Sequence, residues 1–485
     1  MRVAVVHGYF LGDSGSAIYA RELAREFTQQ GHDVTLVCQD QSADRYDFID
    51  SLHEFGPDNA GLRTVFERAP VYEGRCRMVR PFIGDRLLTY VAGPFPPFDA
   101  VPFQEATSEM ITAYVEANIR DMTGIFRHWP QDLVQANHAV MQPYLVNKAL
   151  RDGTPYVVTI HGSELNFTVR KDRRMAPYMQ EGLAGATAIA ALSETSHGEV
   201  VGLAREHGLD ITSRTVILPP GVDTELFAPL DSREKALSGI SKAIDPDLDD
   251  IAVFAGRLLW TKGLQYVVAA LPLILQERPR IQLVVVGDGP MRKPLEQLIS
   301  LLESGNLEEA RRLTETETEL KPAPEYGPVI PGLGVEEEKI YQVSALGDLS
   351  RRIHFTGHLS HKQLAPLFAA ADVSLAPSVF PEAFGLVSIE ALAAGALPIA
   401  TYQTGLRSPL DVIAAGLDDA RFRQLAPGTD LTTGLASALT GIFGKYQTRD
   451  REFREKLHGI ARENFSWRIV AGRYLEWSRS QAPPA

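Results

Sequence analysis

The run RVAVVHGYFLGDSGSAIYARELAREFTQQGHDVTLVCQ, residues 2–39, holds a complete strand, helix and strand. Arg2–His7 is a short, β-branched apolar stretch and reads as a strand. In Ser14–Gln30 the residues Ala17, Ala20, Leu23, Ala24 and Phe27 recur at helical spacing, and Gly31 stops the helix before a second strand at Asp33–Gln39. Two strands joined through a helix are parallel neighbours in one sheet. Working outward, the same alternation gives strands at Leu133–Ala136, Tyr156–Ile160, Ala186–Ala191 and Thr215–Leu218. Together they make a Rossmann-like, doubly wound α/β domain over residues 1–225. The pattern breaks at Pro219-Pro220-Gly221-Val222-Asp223, and residues 226–250 read as a polar linker. A second series, Ile251–Ala255, Ile281–Val286, Ile353–Thr356, Asp372–Ala376 and Leu397–Thr401, gives a second doubly wound domain over 251–465. Two such domains are expected to face each other across a cleft, with function on the loops at the carboxyl ends of the strands.

Two segments fit this pattern poorly. Residues 40–128 hold few clear strands and contain Pro94-Phe95-Pro96-Pro97-Phe98. Residues 303–338 carry ten Glu against Arg311, Arg312 and Lys321, so an acidic, solvated insertion is expected over about 303–350.

A length of 485 residues suits two or three domains, and 45% hydrophobic with 22% charged residues is an ordinary globular balance. The net charge of −13 disfavours an extended nucleic-acid surface, which needs a basic footprint, but leaves room for a local phosphate pocket. Cys38 and Cys76 form neither a disulfide framework nor a zinc-ligand spacing, and a reducing compartment is the default. The apolar run at the N-terminus is too short for a secretory signal, and no stretch approaches the ~18 apolar residues of a membrane span. The expected location is cytoplasmic.

The most informative motif is PSVFPEAFGLVSIEALAAG, residues 377–395. It reads as a strand end, a loop carrying Glu382, and a helix that begins near Gly385 and carries Glu390 in its second turn. Open backbone N–H groups at a helix start suit a diphosphate, and glycine permits close approach. Carboxylates accept hydrogen bonds from hydroxyls, so one on each side of a phosphate cradle fits a sugar and a ribose. Two Glu at this spacing are also compatible with ordinary helical surface.

This motif resembles the signature of the retaining nucleotide-sugar glycosyltransferases of family four, which have the two-domain GT-B fold. Other segments agree in order: Ala255-Gly256-Arg257-Leu258-Leu259-Trp260-Thr261-Lys262-Gly263 is similar to the family's donor-phosphate segment, and Gly287-Asp288-Gly289-Pro290 to the turn after its next strand. Phe355-Thr356-Gly357-His358, Gly221-Val222-Asp223 and the closing Phe465-Ser466-Trp467 and Tyr474-Leu475-Glu476 match in turn. The resemblance covers nearly the whole chain and implies that a C-terminal helix, 466–485, returns to the first domain. It implies that Arg257 and Lys262, with Gly256, hold the donor diphosphate, where fixed cations stabilise a leaving group that gains charge. It implies Glu390 on the ribose, and Glu382 with the Phe384, Gly385 and Leu386 backbone on sugar and phosphate. One departure stands out: after Thr401 the chain reads Gln403-Thr404-Gly405-Leu406-Arg407-Ser408, where only Gly405 matches the family and Arg407 introduces a charge.

In the first domain, Gly8, Gly12 and Gly15 follow the first strand but lack the G-x-G-x-x-G spacing, so a NAD-binding reading is weak. The resemblance places this loop, with Gly12 and Gly15 as donor-binding candidates, against the donor diphosphate or the acceptor, while Gly8 equally suits a tight turn. His161, at the end of Thr159-Ile160-His161-Gly162, resembles the family histidine that touches the donor sugar; a packed strand-end histidine is the alternative. Asn137 and His138 end another strand and are candidates for acceptor hydroxyls or for a structural polar cap. The basic run Arg170-Lys171-Asp172-Arg173-Arg174 is a solvated face, an acceptor-phosphate site or a contact with an anionic leaflet.

The reading is therefore a retaining hexosyltransferase taking a nucleotide diphosphate sugar to a hydroxyl of a sugar, sugar phosphate or lipid-linked acceptor. No cofactor or metal is called for, because the two cations take the place of Mg²⁺. The partners are the donor and a small-molecule or lipid-linked acceptor, with peripheral membrane contact compatible and no nucleic acid. The alternatives are a nucleotide-sugar epimerase on the same architecture, for which no catalytic acid and base pair is evident, and an inactive nucleotide-sugar-binding protein.

Overall fold

The computed structural model describes residues 1–480 apart from 13, 58–60, 92, 94, 151–152, 241–243, 333–339 and 342–348. The chain divides into two compact units, Met1–Gly221 with the C-terminal segment from Trp467, and Val222–Ser466.

In the first unit, β1 (Arg2–Val6), α1 (Gly15–Gln29) and β2 (Asp33–Val37) form the opening β-α-β unit, with β1 and β2 parallel and Val3 opposite Val34. Ser14 caps α1 by accepting from the Ala17 N–H at 3.4 Å. There follow β3 (Ser51–Phe55), β4 (Leu62–Glu67), β5 (Arg75–Arg80), β6 (Arg86–Thr89), β7 (Asp99–Pro102), α2 (Ser108–His128) and β8 (Leu133–Asn137). The unit continues with α3 (Gln142–Ala149), β9 (Tyr156–Ile160), α4 (Ala176–Ala184), β10 (Ala188–Ala191), α5 (Glu194–Glu206) and β11 (Thr215–Ile217). The main sheet has the order β11-β10-β9-β8-β1-β2-β5-β3-β4, parallel except that β4 runs antiparallel to β3. Its central strands are buried on both faces, which is why they read as mainly apolar runs rather than as an alternation. The C-terminal helix Trp467–Ser480 belongs to this unit, where the Tyr474 hydroxyl lies 2.7 Å from that of Tyr19 and 2.6 Å from that of Thr159.

The second unit contains α6 (Glu234–Ser238), β12 (Asp250–Ala255), α7 (Leu264–Glu277), β13 (Ile281–Val286), α8 (Arg292–Glu303), α9 (Leu307–Thr316) and β14 (Ile353–Gly357). Then come α10 (His361–Ala370), β15 (Val373–Ala376), α11 (Leu386–Ala393), β16 (Leu397–Ala400), α12 (Arg407–Leu417), α13 (Leu431–Lys445) and α14 (Arg451–Phe465). The sheet is wholly parallel in the order β14-β13-β12-β15-β16.

Three expectations are corrected. Residues 40–128 hold five strands, β3 to β7, where few were expected. Residues 226–250 are not a free linker: Phe227, Leu237 and Ile244 are buried, and Arg233 donates to the Ala370 carbonyl at 2.6 Å and to Asp372 at 2.9 Å. The acidic insertion is not simply solvated, because Leu307, Ala310, Leu320, Ala323, Tyr326, Val329 and Ile330 are buried. Its remaining part at 333–339 and 342–348, Pro94, and residues 481–485 of the expected C-terminal helix lie outside the described residues.

Candidate active site

In the second unit the turn after β12 and the loop after β15 are built against each other. Gly263 has φ +74°, and a Cβ there would lie 1.9 Å from the Pro377 carbonyl oxygen, so only glycine permits this approach. The Val379 N–H donates to the Thr261 carbonyl at 2.9 Å. These contacts bring Lys262 to Glu382: its Nζ pairs with Glu382 Oε1, which also accepts from Ser378 Oγ at 2.5 Å. The 401–407 segment closes the other side. Thr404, with φ +40°, accepts from the Glu382 N–H at 3.0 Å, and the Gly405 N–H donates to the Glu382 carbonyl at 2.9 Å. Arg407 lies over the Tyr402 ring, 5.2 Å from its centroid, so its charge is directed at an aromatic face.

Helix α11 starts at Gly385, whose φ of +98° turns the chain, and no side chain caps its first N–H groups. Leu386 is its first residue, and Ser388 Oγ is buried without a partner. Phe384 is buried edge-on against Phe465, so it can serve a ligand only through its backbone. Glu390 is 8% exposed rather than a surface residue, and its Oε1 lies 3.3 Å from Nε2 of His361 at the start of α10. Gly256 donates to the Val286 carbonyl at 3.0 Å, and the exposed Arg257 follows it with a guanidinium that has no hydrogen-bond or ion-pair partner among the described residues. One turn thus carries a free guanidinium and a paired ammonium, beside an uncapped helix start.

In the first unit a second polar group gathers at the ends of β1, β8 and β9. His161 Nε2 lies 2.8 Å from Asn137 Oδ1, while Asn137 Nδ2 donates to the Val6 carbonyl at 3.1 Å and to Gln135 Oε1 at 3.0 Å. Oδ1 is therefore the acceptor and Nε2 carries the proton. Burial, with His138 close by, pushes the His161 pKa down to about 3, so the ring is neutral and its Nδ1 holds a lone pair. His138 has φ +71° and is buried; its Nδ1 reaches Glu164 Oε2 at 3.3 Å, and its Nε2 has no partner. The ring sits 4.4 Å from Tyr90 and 4.8 Å from His161, centroid to centroid. Glu164 is wholly buried and also accepts from the N–H groups of Ala139 at 3.1 Å and His161 at 3.0 Å. Burial raises its pKa, but the His138 hydrogen bond and the backbone N–H groups outweigh this and hold the carboxyl at about 2. Both nitrogens of the buried His7, and both polar atoms of the buried Gln142, are unpartnered.

These positions sort the expected site residues. Arg257, Lys262, Glu382, Gly385, Leu386 and Glu390 belong to one turn, loop and helix of the second unit. Asn137 does not offer a free atom to an acceptor: its amide is consumed in orienting His161. His138 keeps one free nitrogen. Gly12 has nothing within 4 Å of a built Cβ, and Gly15 is the exposed first residue of α1; neither has a left-handed backbone. In the basic run, Arg174 folds onto Asp172 and the Ala106 carbonyl, leaving Arg170, Lys171 and Arg173 exposed. Sequence reasoning did not find Glu164, His7, Ser378 or Thr404. The spacing His161-Gly162-Ser163-Glu164 was a usable signal, since a carboxylate three residues on can reach back to a strand-end N–H. Among the described residues no group of three or more His, Cys, Asp or Glu could hold a metal ion, and no helix is long and apolar enough to cross a membrane.

Residues 14–221 match the glycosyl transferase 4-like domain, and residues 241–308 and 307–415 match the glycosyl transferases group 1 domain. The D-inositol 3-phosphate glycosyltransferase of Paenarthrobacter aurescens is 28% identical over 332 residues, 67% of this chain and 66% of that protein. The phosphatidyl-myo-inositol mannosyltransferase of Mycolicibacterium smegmatis is 26% identical over 327 residues, 66% of this chain and 64% of that protein. The match thus spans slightly less than two thirds of these relatives' length. In fold the chain is similar to sucrose-phosphate synthase from Thermosynechococcus elongatus, with a TM-score of 0.60 at 20% identity over 99% of this chain and 98% of that one.

Proposed function

The chain belongs to the family-four glycosyltransferases of the GT-B fold, and on that premise we propose that it moves a hexosyl group from a nucleotide diphosphate sugar to a hydroxyl acceptor, with retention at the anomeric carbon. The observation that carries this reading is the Lys262–Glu382 pair beside the uncapped start of α11. A diphosphate placed there meets Lys262, Arg257 and the open N–H groups, which together stabilise the charge that grows as the glycosidic bond breaks. Glu382 then accepts from sugar hydroxyls, and Glu390 from the ribose. His161, neutral and with its Nδ1 lone pair available, is assigned to the sugar, where it stabilises positive charge at the anomeric carbon.

No protein nucleophile is assigned. The bond from the anomeric carbon to the diphosphate oxygen breaks, the acceptor oxygen bonds to the same face, and the acceptor proton passes to the departing phosphate oxygen. The reading asks for no metal ion, so EDTA should leave turnover unchanged. Both relatives carry inositol in their names, which makes a polyhydroxylated ring the first acceptor class to try.

The test is a panel of UDP, GDP and ADP sugars. The true donor should raise Tm by mass action, and product analysis with inositol, inositol phosphate and lipid-linked acceptors should show a retained anomeric configuration. An inverted product, or epimerised sugar released without acceptor, would overturn the proposal, as would turnover unaffected by Glu382→Ala.

A further inference from the structure

The functional reading gives the acidic insertion no role, yet residues 317–332 of it are anchored on the turn that carries Lys262. Gln265 is wholly buried, and its Nε2 donates both to the Trp260 carbonyl at 3.0 Å and to the Lys321 carbonyl at 3.2 Å. One amide group therefore joins the turn between Arg257 and Lys262 to the insertion. Lys321 also places its Nζ 4.2 Å from the Trp260 ring centroid, and has no ion-pair partner among the described residues. Trp260–Lys262 is a single 3-10 turn, so whatever holds Trp260 limits where Lys262 can go.

The same segment is held at further points. Tyr266 donates through its hydroxyl to the Gly327 carbonyl at 3.0 Å and accepts from the Ala323 N–H at 2.8 Å. Thr432 Oγ1 donates to the Val329 carbonyl at 2.8 Å. The Gly428 N–H donates to the Glu325 carbonyl at 2.6 Å, and the Tyr402 N–H to the Leu425 carbonyl at 2.8 Å. Through this second path the insertion supports the loop whose Thr404 holds the Glu382 N–H. The turn that carries Lys262 thus rests directly on residues 317–332, and the loop that carries Glu382 is linked to them through the 401–407 segment.

We propose that residues 317–332 form a strap that holds the diphosphate-binding turn in its working position, with Gln265 and Lys321 as positioning residues for Lys262. A strap of this kind sets affinity for the diphosphate part of the donor and has no influence on the nucleoside part. The inference rests on the assignment of Lys262 to the diphosphate.

The test compares Kd values, by calorimetry, for inorganic pyrophosphate, for whichever of UDP, GDP and ADP binds tightest, and for the matching nucleoside. Lys321→Met should weaken pyrophosphate and the nucleoside diphosphate by about threefold to tenfold, the scale of one lost cation–π contact, and leave the nucleoside unchanged. Lys321→Arg, which restores a cation over the ring, should recover most of the loss, and Gln265→Leu should reproduce it. If Gln265→Leu does not fold, Lys321→Met decides, since Lys321 is only partly buried. Diphosphate affinity within twofold of wild type in Lys321→Met, or equal losses for nucleoside and diphosphate, would overturn the strap. Lys262→Met separates the two levels: if it does not weaken pyrophosphate binding, the site assignment fails, whatever the strap variants do.

Discussion

Glu382 and Lys262 make opposite predictions for the same ligand. In the free protein the ammonium is paired with the carboxylate, with the two side chains 34% and 24% exposed. A diphosphate arriving at Lys262 gains one attraction and meets one repulsion. At a separation near 6 Å, and with an effective dielectric between that of the protein surface and water, each such term is about 1–3 kcal/mol. Lys262→Met should therefore weaken pyrophosphate binding by about tenfold to a hundredfold. Glu382→Gln should do the reverse, tightening pyrophosphate by about threefold to tenfold because the repulsion is gone and the ammonium is released. With the complete sugar donor the same variant should lose turnover, since an amide replaces the carboxylate that the proposed function assigns to the sugar hydroxyls. Calorimetry at 50 and 300 mM salt reads both, and the effects should shrink at high salt. Weaker pyrophosphate binding by Glu382→Gln would show that Glu382 only builds the loop, and would refute this account of the pair.

Four further outcomes follow from the geometry. His7 and His161 have pKa values depressed by burial, so the unfolded chain binds protons that the folded chain does not; stability should fall as pH drops from the unfolded value of 6.5 towards about 3 for His161, by up to about 1.4 kcal/mol per pH unit for each ring. Urea midpoints between pH 7 and pH 4.5 check this, and His161→Asn should flatten the slope. Asn137→Asp puts a carboxylate against His161 Nε2 and should raise that pKa, so turnover gains an inflection on the acid side of neutrality that wild type lacks. Arg454, buried, donates to the carbonyls of Ala371 at 2.9 Å, Thr448 at 3.1 Å and Ala394 at 3.4 Å, and Arg454→Met should cost about 3–5 kcal/mol, read as a lower Tm. Gly405→Ala would put a Cβ 2.2 Å from the Ala383 carbonyl oxygen and 2.5 Å from that of Glu382; nucleoside diphosphate affinity should drop at unchanged secondary structure by circular dichroism.

The strands that were legible are those buried on both faces. Tyr156–Ile160 and Ile281–Val286 are apolar apart from one residue each, Thr159 and Gln282, and the structure places β9 and β13 on those residues. The strands of 40–128 follow a different rule: β5, β3 and β4 form one edge of the main sheet, and β6 and β7 pair with each other in a separate two-stranded sheet. In β5 the residues Arg75, Arg77 and Arg80 interrupt Cys76, Met78 and Val79, and β4 is mostly exposed, so neither presents an apolar run. The insertion failed for the converse reason. Its ten Glu dominate the composition, while the apolar residues that seat it, from Leu307 to Ile330, are scattered among them. Composition reports the outer face of such a segment and is silent about the inner one.

The loop and helix start proposed for the donor were readable as structure because one contiguous stretch, 377–395, follows the end of β15 and carries loop and helix start together. The first-unit cluster has no such continuity. His7, His138 and His161 each stand one residue beyond a strand, after Val6, Asn137 and Ile160. What makes them neighbours is the order β9-β8-β1, with Val6 opposite Ala136 and Asn137 opposite Thr159. Three strand-end histidines are visible in the sequence, but only strand order stacks them. Once stacked, their burial selects the neutral form of His161, and the proton on its Nε2 goes to Asn137. The tautomer assigned to the sugar side is thus set by an amide that looked like an acceptor ligand, and a buried Glu164 draws His138 the other way through Nδ1. Sheet topology, rather than any single motif, decides which imidazole nitrogens these neighbours engage.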